Sequence, residues 1–182
     1  MAVASKVLTY EEWLKMPEVE GIEEVVDGEV HILPPAKSTH AYIVENLLDE
    51  LKPHLKRRAT RVLTGSFGLV IRHDPLTTRI PDIAVFRRDH AIEVDGYFHS
   101  APELLVEVLS RANTRREQAR KLQDYESFGV PEVWIVSPEA RTIEILQLND
   151  GKLTTTAIVN SGELRPKLFP EAAVDVAAIW ED

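Results

Sequence analysis

The segment from Glu103 to Leu109 constrains the fold more than any other part of the chain. Its sequence, ELLVEVL, is almost continuously apolar, which is typical of a strand that is covered on both faces. Such a strand lies inside a sheet with a packed layer on each side. The segment therefore predicts an α/β architecture, and it leaves Glu107 as a charge within apolar surroundings.

Hydrophobic spacing predicts helices that cover this strand. They are expected at Thr9 to Lys15, Thr39 to about Lys56, and Asn113 to about Phe128. Ser38 or Thr39 supplies the N-cap of the longest one, and Pro53 shortens or kinks its last turns. Gly129 and Pro131 close the last helix.

Apolar and β-branched runs predict the remaining strands. They are expected at Arg61 to Leu63, Phe67 to Arg72, Asp82 to Phe86, Val133 to Val136, Thr142 to Gln147 and Lys152 to Val159. Glu23 to Leu33 is predicted as a hairpin that turns at Asp27-Gly28, and His73 to Arg79 as a loop. The middle of the chain thus runs helix, three strands, helix, strand.

This order predicts a mixed sheet flanked by helices, with an N-terminal hairpin and a C-terminal β meander. At 182 residues, the chain fits one domain over residues 1–182. It contains no cysteine, so a thiolate metal site and a thiol nucleophile are excluded. No run of about 18 apolar residues occurs, and we expect a cytoplasmic protein that does not enter membranes.

Two carboxylates are unusual for a purely structural protein. Glu107 in its apolar strand needs a partner, because an isolated buried charge costs several kcal/mol. Asp82 follows Pro81 at the start of another strand, where its side chain can project into a cleft. On neighbouring strands, Asp82 and Glu107 could bind one hard cation, Mg²⁺ or Mn²⁺. Such a metal polarises a phosphoryl oxygen and activates water.

A lysine near this pair would stabilise negative charge that develops on a phosphate. Leu109 lies two residues after Glu107, so the strand itself provides none. Lys121 is the candidate, on one helix face with Glu117 and Tyr125 at spacings of four. The alternative is an ordinary surface pair between Lys121 and Glu117, and the spacing does not decide between the two.

The ordered segments RIPDIAVF, PELLVEVLS and RKLQDYESFGVPEVWIV resemble the Uma-two family of restriction-endonuclease-like proteins, within the PD-(D/E)XK nuclease superfamily. Pro81-Asp82 resembles the family's PD, Glu107 its second acidic residue, and Lys121 a lysine displaced onto the next helix. The resemblance implies the superfamily's αβββαβ core. It departs from the family at Arg111-Ala112-Asn113, where Pro, Ser and Thr are usual.

The N-terminal segment EEVVDGEVHILPPAKSTH also resembles the family, with Glu24, Asp27, Gly28 and His40 at matching positions. Glu24 is a candidate third carboxylate, although a half-exposed surface glutamate is the more common outcome in a strand. His40 is a candidate for phosphate contact or proton transfer. The spacing of the histidines predicts no zinc site.

These observations predict an endonuclease that hydrolyses DNA with Mg²⁺ or Mn²⁺. The net charge of -9 argues against a protein that binds nucleic acid over its whole surface. Arg115, Arg116 and Arg120, with Arg111, are candidates for a local basic strip that binds phosphates, and the alternative is an ordinary solvated helix face. One alternative is a non-catalytic nucleic-acid or protein-binding module with the same fold. Another is a structural assembly domain that dimerises around Trp180. Cleavage of both DNA strands would suit a homodimer.

Overall fold

A computed structural model describes residues 7–17, 22–65, 67–110 and 114–181. The helices are α1 (Tyr10–Trp13), α2 (Ser38–Leu51) and α3 (Arg115–Phe128), with short 3-10 helices at Lys52–His54 and Ala178–Trp180. The first strands are β1 (Ile22–Val26), β2 (Glu29–Leu33), β3 (Thr60–Thr64), β4 (Leu69–His73), β5 (Leu76–Arg79), β6 (Ile83–Arg87), β7 (Glu93–Val94) and β8 (Tyr97–Phe98). The later strands are β9 (Leu104–Val108), β10 (Glu132–Ser137), β11 (Thr142–Asn149), β12 (Lys152–Val159), β13 (Glu163–Leu164) and β14 (Val174–Asp175).

A six-stranded mixed sheet forms the centre of the molecule, in the order β12-β11-β10-β9-β6-β3. The β9 and β10 strands are parallel, and the other neighbours are antiparallel. As the apolar run predicts, β9 is an inner strand, and four of its five residues are buried. In the chain order, α2, β3 and β6 precede β9, and α3, β10 and β11 follow it. The segment that the sequence marks as central therefore lies in the interior of the sheet.

Alternating side chains of this sheet pack into two separate apolar layers. Ile83 and Val85 of β6 face α2 and the C-terminal segment, whereas Ala84 and Phe86 face α3 and β4. Because side chains along a strand point to opposite faces, one strand contributes to both layers. Among the described residues, no helix is long and apolar enough to cross a membrane.

The predicted αβββαβ core is present as α2, β3, β6, β9, α3 and β10. Hairpin segments interrupt it, with β4 and β5 between β3 and β6, and β7 and β8 between β6 and β9. These four short strands form a second sheet in the order β5-β4-β8-β7. The strand predicted at Phe67 to Arg72 exists as β4, but it belongs to this second sheet.

The loop predicted from His73 to Arg79 is wrong, because its second half is the buried strand β5. The polar residues Thr77 and Thr78 hide this strand from a hydrophobicity pattern. Their hydroxyl groups accept hydrogen bonds from the backbone N–H groups of Asp27 (3.2 Å) and Val25 (2.8 Å). A buried threonine with such a partner avoids the penalty for an unpaired polar group.

The helix ends follow the sequence in part. The α2 helix ends at Leu51, and Pro53 lies in the following 3-10 helix, as its missing N–H predicts. The N-cap of α2 is Lys37 with no side-chain capping bond, so the prediction of Ser38 or Thr39 is wrong. Thr114 caps α3 through a capping box. The predicted start at Asn113 falls outside the described residues.

Two Asp-Gly turns of matching conformation allow a test of how the N-terminal segment is held. Gly28 and Gly151 have φ of 80° and 75°. A Cβ atom at Gly28 would lie 2.7 Å from the backbone nitrogen of Leu8 and would also meet Val7. At Gly151, by contrast, no atom of the described residues would lie within 4 Å of an added Cβ atom. We expect Gly151→Ala to lower the free energy of unfolding by about 1 kcal/mol, from the left-handed conformation alone.

We expect Gly28→Ala to lower the free energy of unfolding by about 1 to 3 kcal/mol more than Gly151→Ala, because the added methyl group overpacks the contact with residues 7 and 8. Urea denaturation of both variants measures the difference. Equal losses would show that this contact contributes nothing to stability.

Candidate functional site

Asp82 and Glu107 face each other across neighbouring strands. The antiparallel register pairs Ile83 of β6 with Val106 of β9, and its continuation places Asp82 opposite Glu107. The backbone N–H of Val108 donates a hydrogen bond to Asp82 Oδ2 at 2.6 Å. The structure thus brings the two predicted carboxylates together and fixes one of them to the backbone that carries the other.

Glu107 is compensated by two side chains of α3. Lys121 Nζ lies 3.2 and 3.1 Å from the two carboxylate oxygens of Glu107, and the Tyr125 hydroxyl donates to Oε1. Burial raises the pKa of Glu107, and nearby Asp82 raises it further, while Lys121 and Tyr125 oppose the rise. The apolar strand therefore contains a carboxylate whose affinity for protons is increased by its surroundings.

Lys121 is directed into the site rather than to the surface. Its Nζ lies 3.4 Å from Glu24 Oε1 in addition to its contact with Glu107. Burial lowers its pKa, but the two carboxylates outweigh that effect and raise it, so the ammonium form is favoured. Glu117 instead accepts hydrogen bonds from the backbone N–H and hydroxyl of Thr114, both at 2.8 Å. The surface-pair alternative does not describe this geometry.

Glu24 belongs to a buried ionic network that sequence reasoning missed. Its side chain is only 3% exposed, so the expectation of a half-exposed surface residue is wrong. Arg79 donates to Glu24 Oε2 at 2.7 Å and to Asp124 Oδ2 at 2.6 and 2.8 Å. The backbone N–H of Ile80 donates to Glu24 Oε1 at 3.0 Å.

Arg79 is itself only 5% exposed. Burial lowers its pKa, and the carboxylates of Glu24 and Asp124 more than reverse this. Neither Arg79 nor Asp124 stands out in the sequence, because the partners of Arg79 lie 55 and 45 residues away. The one local feature that could have indicated this network is the position of Arg79, three residues before the predicted site residue Asp82.

His40, near the start of α2, contacts Asp82. Its Nε2 lies 2.9 Å from Asp82 Oδ1, and the His40 side chain is 18% exposed. The hydrogen bond with Asp82 raises the pKa of His40, although burial opposes the rise. His40 therefore contacts Asp82 through the carboxylate oxygen that does not accept the hydrogen bond from Val108.

The predicted basic strip lies along α3. Arg115, Arg116 and Arg120 are exposed, and Arg120 forms an ion pair with Asp27 in the turn between β1 and β2. Arg111, which the sequence places in the same strip, falls outside the described residues. The three arginines lie on the same helix as Lys121, whose side chain contacts Glu107.

The donor set fits a hard cation through its chemistry. Asp82 and Glu107 offer carboxylate oxygens, the ligands that Mg²⁺ and Mn²⁺ prefer. Among the described residues, no group of three or more His, Cys, Asp or Glu side chains is arranged to hold a metal ion. A cation at this pair would thus be completed by water or by substrate oxygens.

Two cavities differ in their relation to this site. One of about 20 Å³ lies beside the carboxylate and lysine, with room for about one water molecule. It is lined by Glu107, Leu109, Gln118, Lys121, Leu122, Tyr125 and Ile135. An open groove of about 440 Å³ is lined by Ala140, Arg141, Asn160, Ala177, Trp180 and Glu181. The smaller cavity is the one that contacts the ionisable groups described above.

A mixed sheet between helices, with an acidic pair at the ends of two adjacent strands, defines a restriction-endonuclease-like fold. The family model Uma2, described as "Putative restriction endonuclease", matches residues 9–177. The chain belongs to this family.

A crystal structure described as a putative nuclease belonging to DUF820 from Anabaena variabilis shares the fold, with a TM-score of 0.77. The two sequences are 18% identical, and the match covers 95% of this chain and 97% of that one. No curated protein matches the chain.

The contact between His40 and Asp82 predicts a pH dependence in the metal-free protein. Because the folded-state pKa of His40 is raised, the contact stabilises the fold fully below the ordinary pKa of 6.5. This stabilisation is lost as the pH rises through the raised value. We expect NMR titration in EDTA to give a lower pKa for His40 in Asp82→Asn than in the wild type.

His99 provides the internal control, because burial and His73 lower its pKa through groups remote from Asp82. The pKa of His99 should be the same in the wild type and in Asp82→Asn. An unchanged His40 midpoint in Asp82→Asn would contradict the assignment of the raised pKa to this contact.

Proposed function

We propose that the protein is an endonuclease that hydrolyses DNA phosphodiester bonds with Mg²⁺ or Mn²⁺. The observation that carries this proposal is the pairing of Asp82 with Glu107 across β6 and β9, with the Lys121 ammonium group beside Glu107. Such a reaction requires two carboxylates that bind a metal ion, and a fixed ammonium group that stabilises the charge on the phosphate.

Asp82 and Glu107 would hold the metal. A metal held there would supply Lewis-acid polarisation of the phosphate and would lower the pKa of water. The protein's contribution is to orient these ligands before the metal arrives. The backbone N–H of Val108 and the imidazole of His40 hold the two oxygens of Asp82, at 2.6 and 2.9 Å.

Lys121 would stabilise the negative charge that develops on the phosphate. Its ammonium group is fixed by Glu107 and Glu24, and Arg79 holds Glu24 in turn at 2.7 Å. A preorganised charge in a partly buried site stabilises a transition state more effectively than a mobile surface lysine. Tyr125 restrains Glu107 from the same helix.

The comparisons support a nuclease. The family to which the chain belongs is described as "Putative restriction endonuclease", and the structural neighbour is described as a "putative nuclease". DNA is the substrate that the first description implies. Arg115, Arg116 and Arg120 would then contact phosphates along the exposed face of α3.

A binding module without turnover is the alternative, and one observation favours it. Lys121 and Tyr125 already compensate the buried carboxylate of Glu107, so the fold does not require a metal to accommodate that charge. An endonuclease should lose DNA cleavage when Asp82 or Lys121 is replaced. A binding module should show no cleavage in any of the proteins.

Metal binding tests the carboxylate pair. We expect isothermal titration with Mn²⁺ to show binding that Asp82→Ala and Glu107→Ala each weaken at least tenfold, because the ligand charges bind the cation. Glu117→Gln is the matched control, since it removes an exposed carboxylate on α3 while glutamine preserves the capping box. Binding that is equally strong in all four proteins would contradict the two-carboxylate site.

Loss of Lys121 tests the proposed stabilisation of charge. We expect Lys121→Ala to reduce single-turnover cleavage of DNA in Mn²⁺ by roughly a hundredfold or more, as the loss of one preorganised electrostatic group typically does. Affinity for Mn²⁺ should change little. Lys121→Arg should restore part of the rate if charge is what matters.

The control is Lys152→Ala, which removes a lysine that is also paired with a glutamate, Glu126, but is 75% exposed. Its cleavage rate should equal that of the wild type. Circular dichroism of each variant excludes unfolding as the cause of a lost rate. Full activity in folded Lys121→Ala would favour another source of charge stabilisation.

A further inference from the structure

One carboxylate in the turn between β1 and β2 is shared by two arginines from distant parts of the chain. Arg72 of β4 lies 2.5 Å from Asp27 Oδ1, and Arg120 of α3 contacts Asp27 Oδ2. The side chains of Asp27, Arg72 and Arg120 are 55%, 43% and 44% exposed. The cluster is therefore open to solvent and to a ligand.

Neutral groups hold one of these arginines in place. Arg72 donates to the carbonyl oxygen of Pro75 at 3.0 Å and to the hydroxyl of Thr77 at 2.8 Å. These acceptors orient the guanidinium group without neutralising it. Two positive charges thus share the single negative charge of Asp27, and the position of Arg72 does not depend on that carboxylate alone.

The cluster lies beside the candidate active site. Arg120 directly precedes Lys121 on α3, and Asp27 lies three residues after Glu24, which contacts Lys121. Three residues of strand span roughly 10 Å. Phosphates recur about every 3.4 Å along the axis for each DNA strand. A strand cleaved beside Glu107 would therefore present another phosphate at the cluster within a few nucleotides.

We propose that Arg72 and Arg120 form a phosphate subsite for the DNA strand, and that Asp27 occupies this subsite until a DNA phosphate displaces it. The inference rests on the proposed function and adds a contact outside the carboxylate pair. A carboxylate and a phosphate both present paired oxygens to guanidinium groups. Exposed ion pairs contribute little stability, so replacement of the Asp27 carboxylate by a DNA phosphate costs little free energy.

The test measures equilibrium affinity for a fluorescein-labelled DNA duplex in EDTA, where cleavage does not interfere. We expect Asp27→Asn to tighten binding roughly fivefold, because it removes the competing charge. Asparagine tolerates the positive φ of 49° at this position, so the turn is preserved. Arg72→Ala and Arg120→Ala should each weaken binding and reduce the slope of log Kd against log salt by about 0.9.

Two controls separate the subsite from a general effect of charge. Asp150→Asn makes the same change in another Asp-Gly turn, also with φ of 49°. Arg165→Ala removes an arginine that is 47% exposed and paired with Glu163. The subsite requires that Asp27→Asn tighten binding more than Asp150→Asn does. It also requires that each of the two arginine variants weaken binding more than Arg165→Ala.

A combined variant gives the sharpest distinction. In an Arg72→Ala/Arg120→Ala background, Asp27→Asn should gain no more affinity than Asp150→Asn. The subsite is overturned if Asp27→Asn still tightens DNA binding more than Asp150→Asn in the double-alanine background. It is also overturned if the two asparagine variants tighten binding equally in the wild-type background. The absence of DNA binding in every protein overturns it as well. Thermal melts ensure that only folded variants are compared.

Cleavage in Mn²⁺ is measured separately, with Asp82→Ala as the inactive reference. Cleavage that depends on Asp82, together with unchanged affinity in Asp27→Asn, would overturn the subsite and leave the endonuclease intact. The expected affinity pattern without cleavage would support the subsite and reject the enzyme. Failure of one proposal is thus distinguishable from failure of the other.

Discussion

The contact of the Lys121 ammonium group with Glu107 and Glu24 is the interaction on which the site depends. Each of these charges would be unfavourable alone, because removal of an ion from water costs several kcal/mol. Together with Arg79 and Asp124 they form an alternating series of negative and positive groups. The series joins β1, β5, β9 and α3, so the second sheet and the hairpin are tied to the central sheet by charge as well as by apolar packing.

This network also accounts for the position of the lysine. Leu109 lies two residues after Glu107, directly past the end of β9, so this segment provides no lysine of its own. The α3 helix packs over the same face of the sheet and delivers Lys121 to the carboxylate at 3.1 Å. A cation from a helix therefore reaches the acidic pair without a charged residue at Leu109. The buried Glu24 keeps Lys121 between two carboxylates.

The asymmetry between the two proposed metal ligands is a second consequence. Asp82 is 22% exposed and is held by a backbone N–H and an imidazole, whereas Glu107 is 12% exposed and is held by a lysine and a tyrosine. Burial raises the pKa of Glu107, and its partners limit the rise. The pair thus consists of two partly buried carboxylates that are held by different kinds of partner.

The sequence by itself determined the central strand, the αβββαβ order and the candidates Asp82, Glu107 and Lys121. These depend on local patterns: an apolar run, helical spacing, and the restriction that Pro53 imposes on α2. Only the tertiary structure decided that Lys121 faces inward, that Glu24 is buried, and that β5 is a strand despite its threonines. It also supplied Arg79 and Asp124. The physical reason is that a buried polar side chain is stabilised by its partner, and those partners lie tens of residues away along the chain.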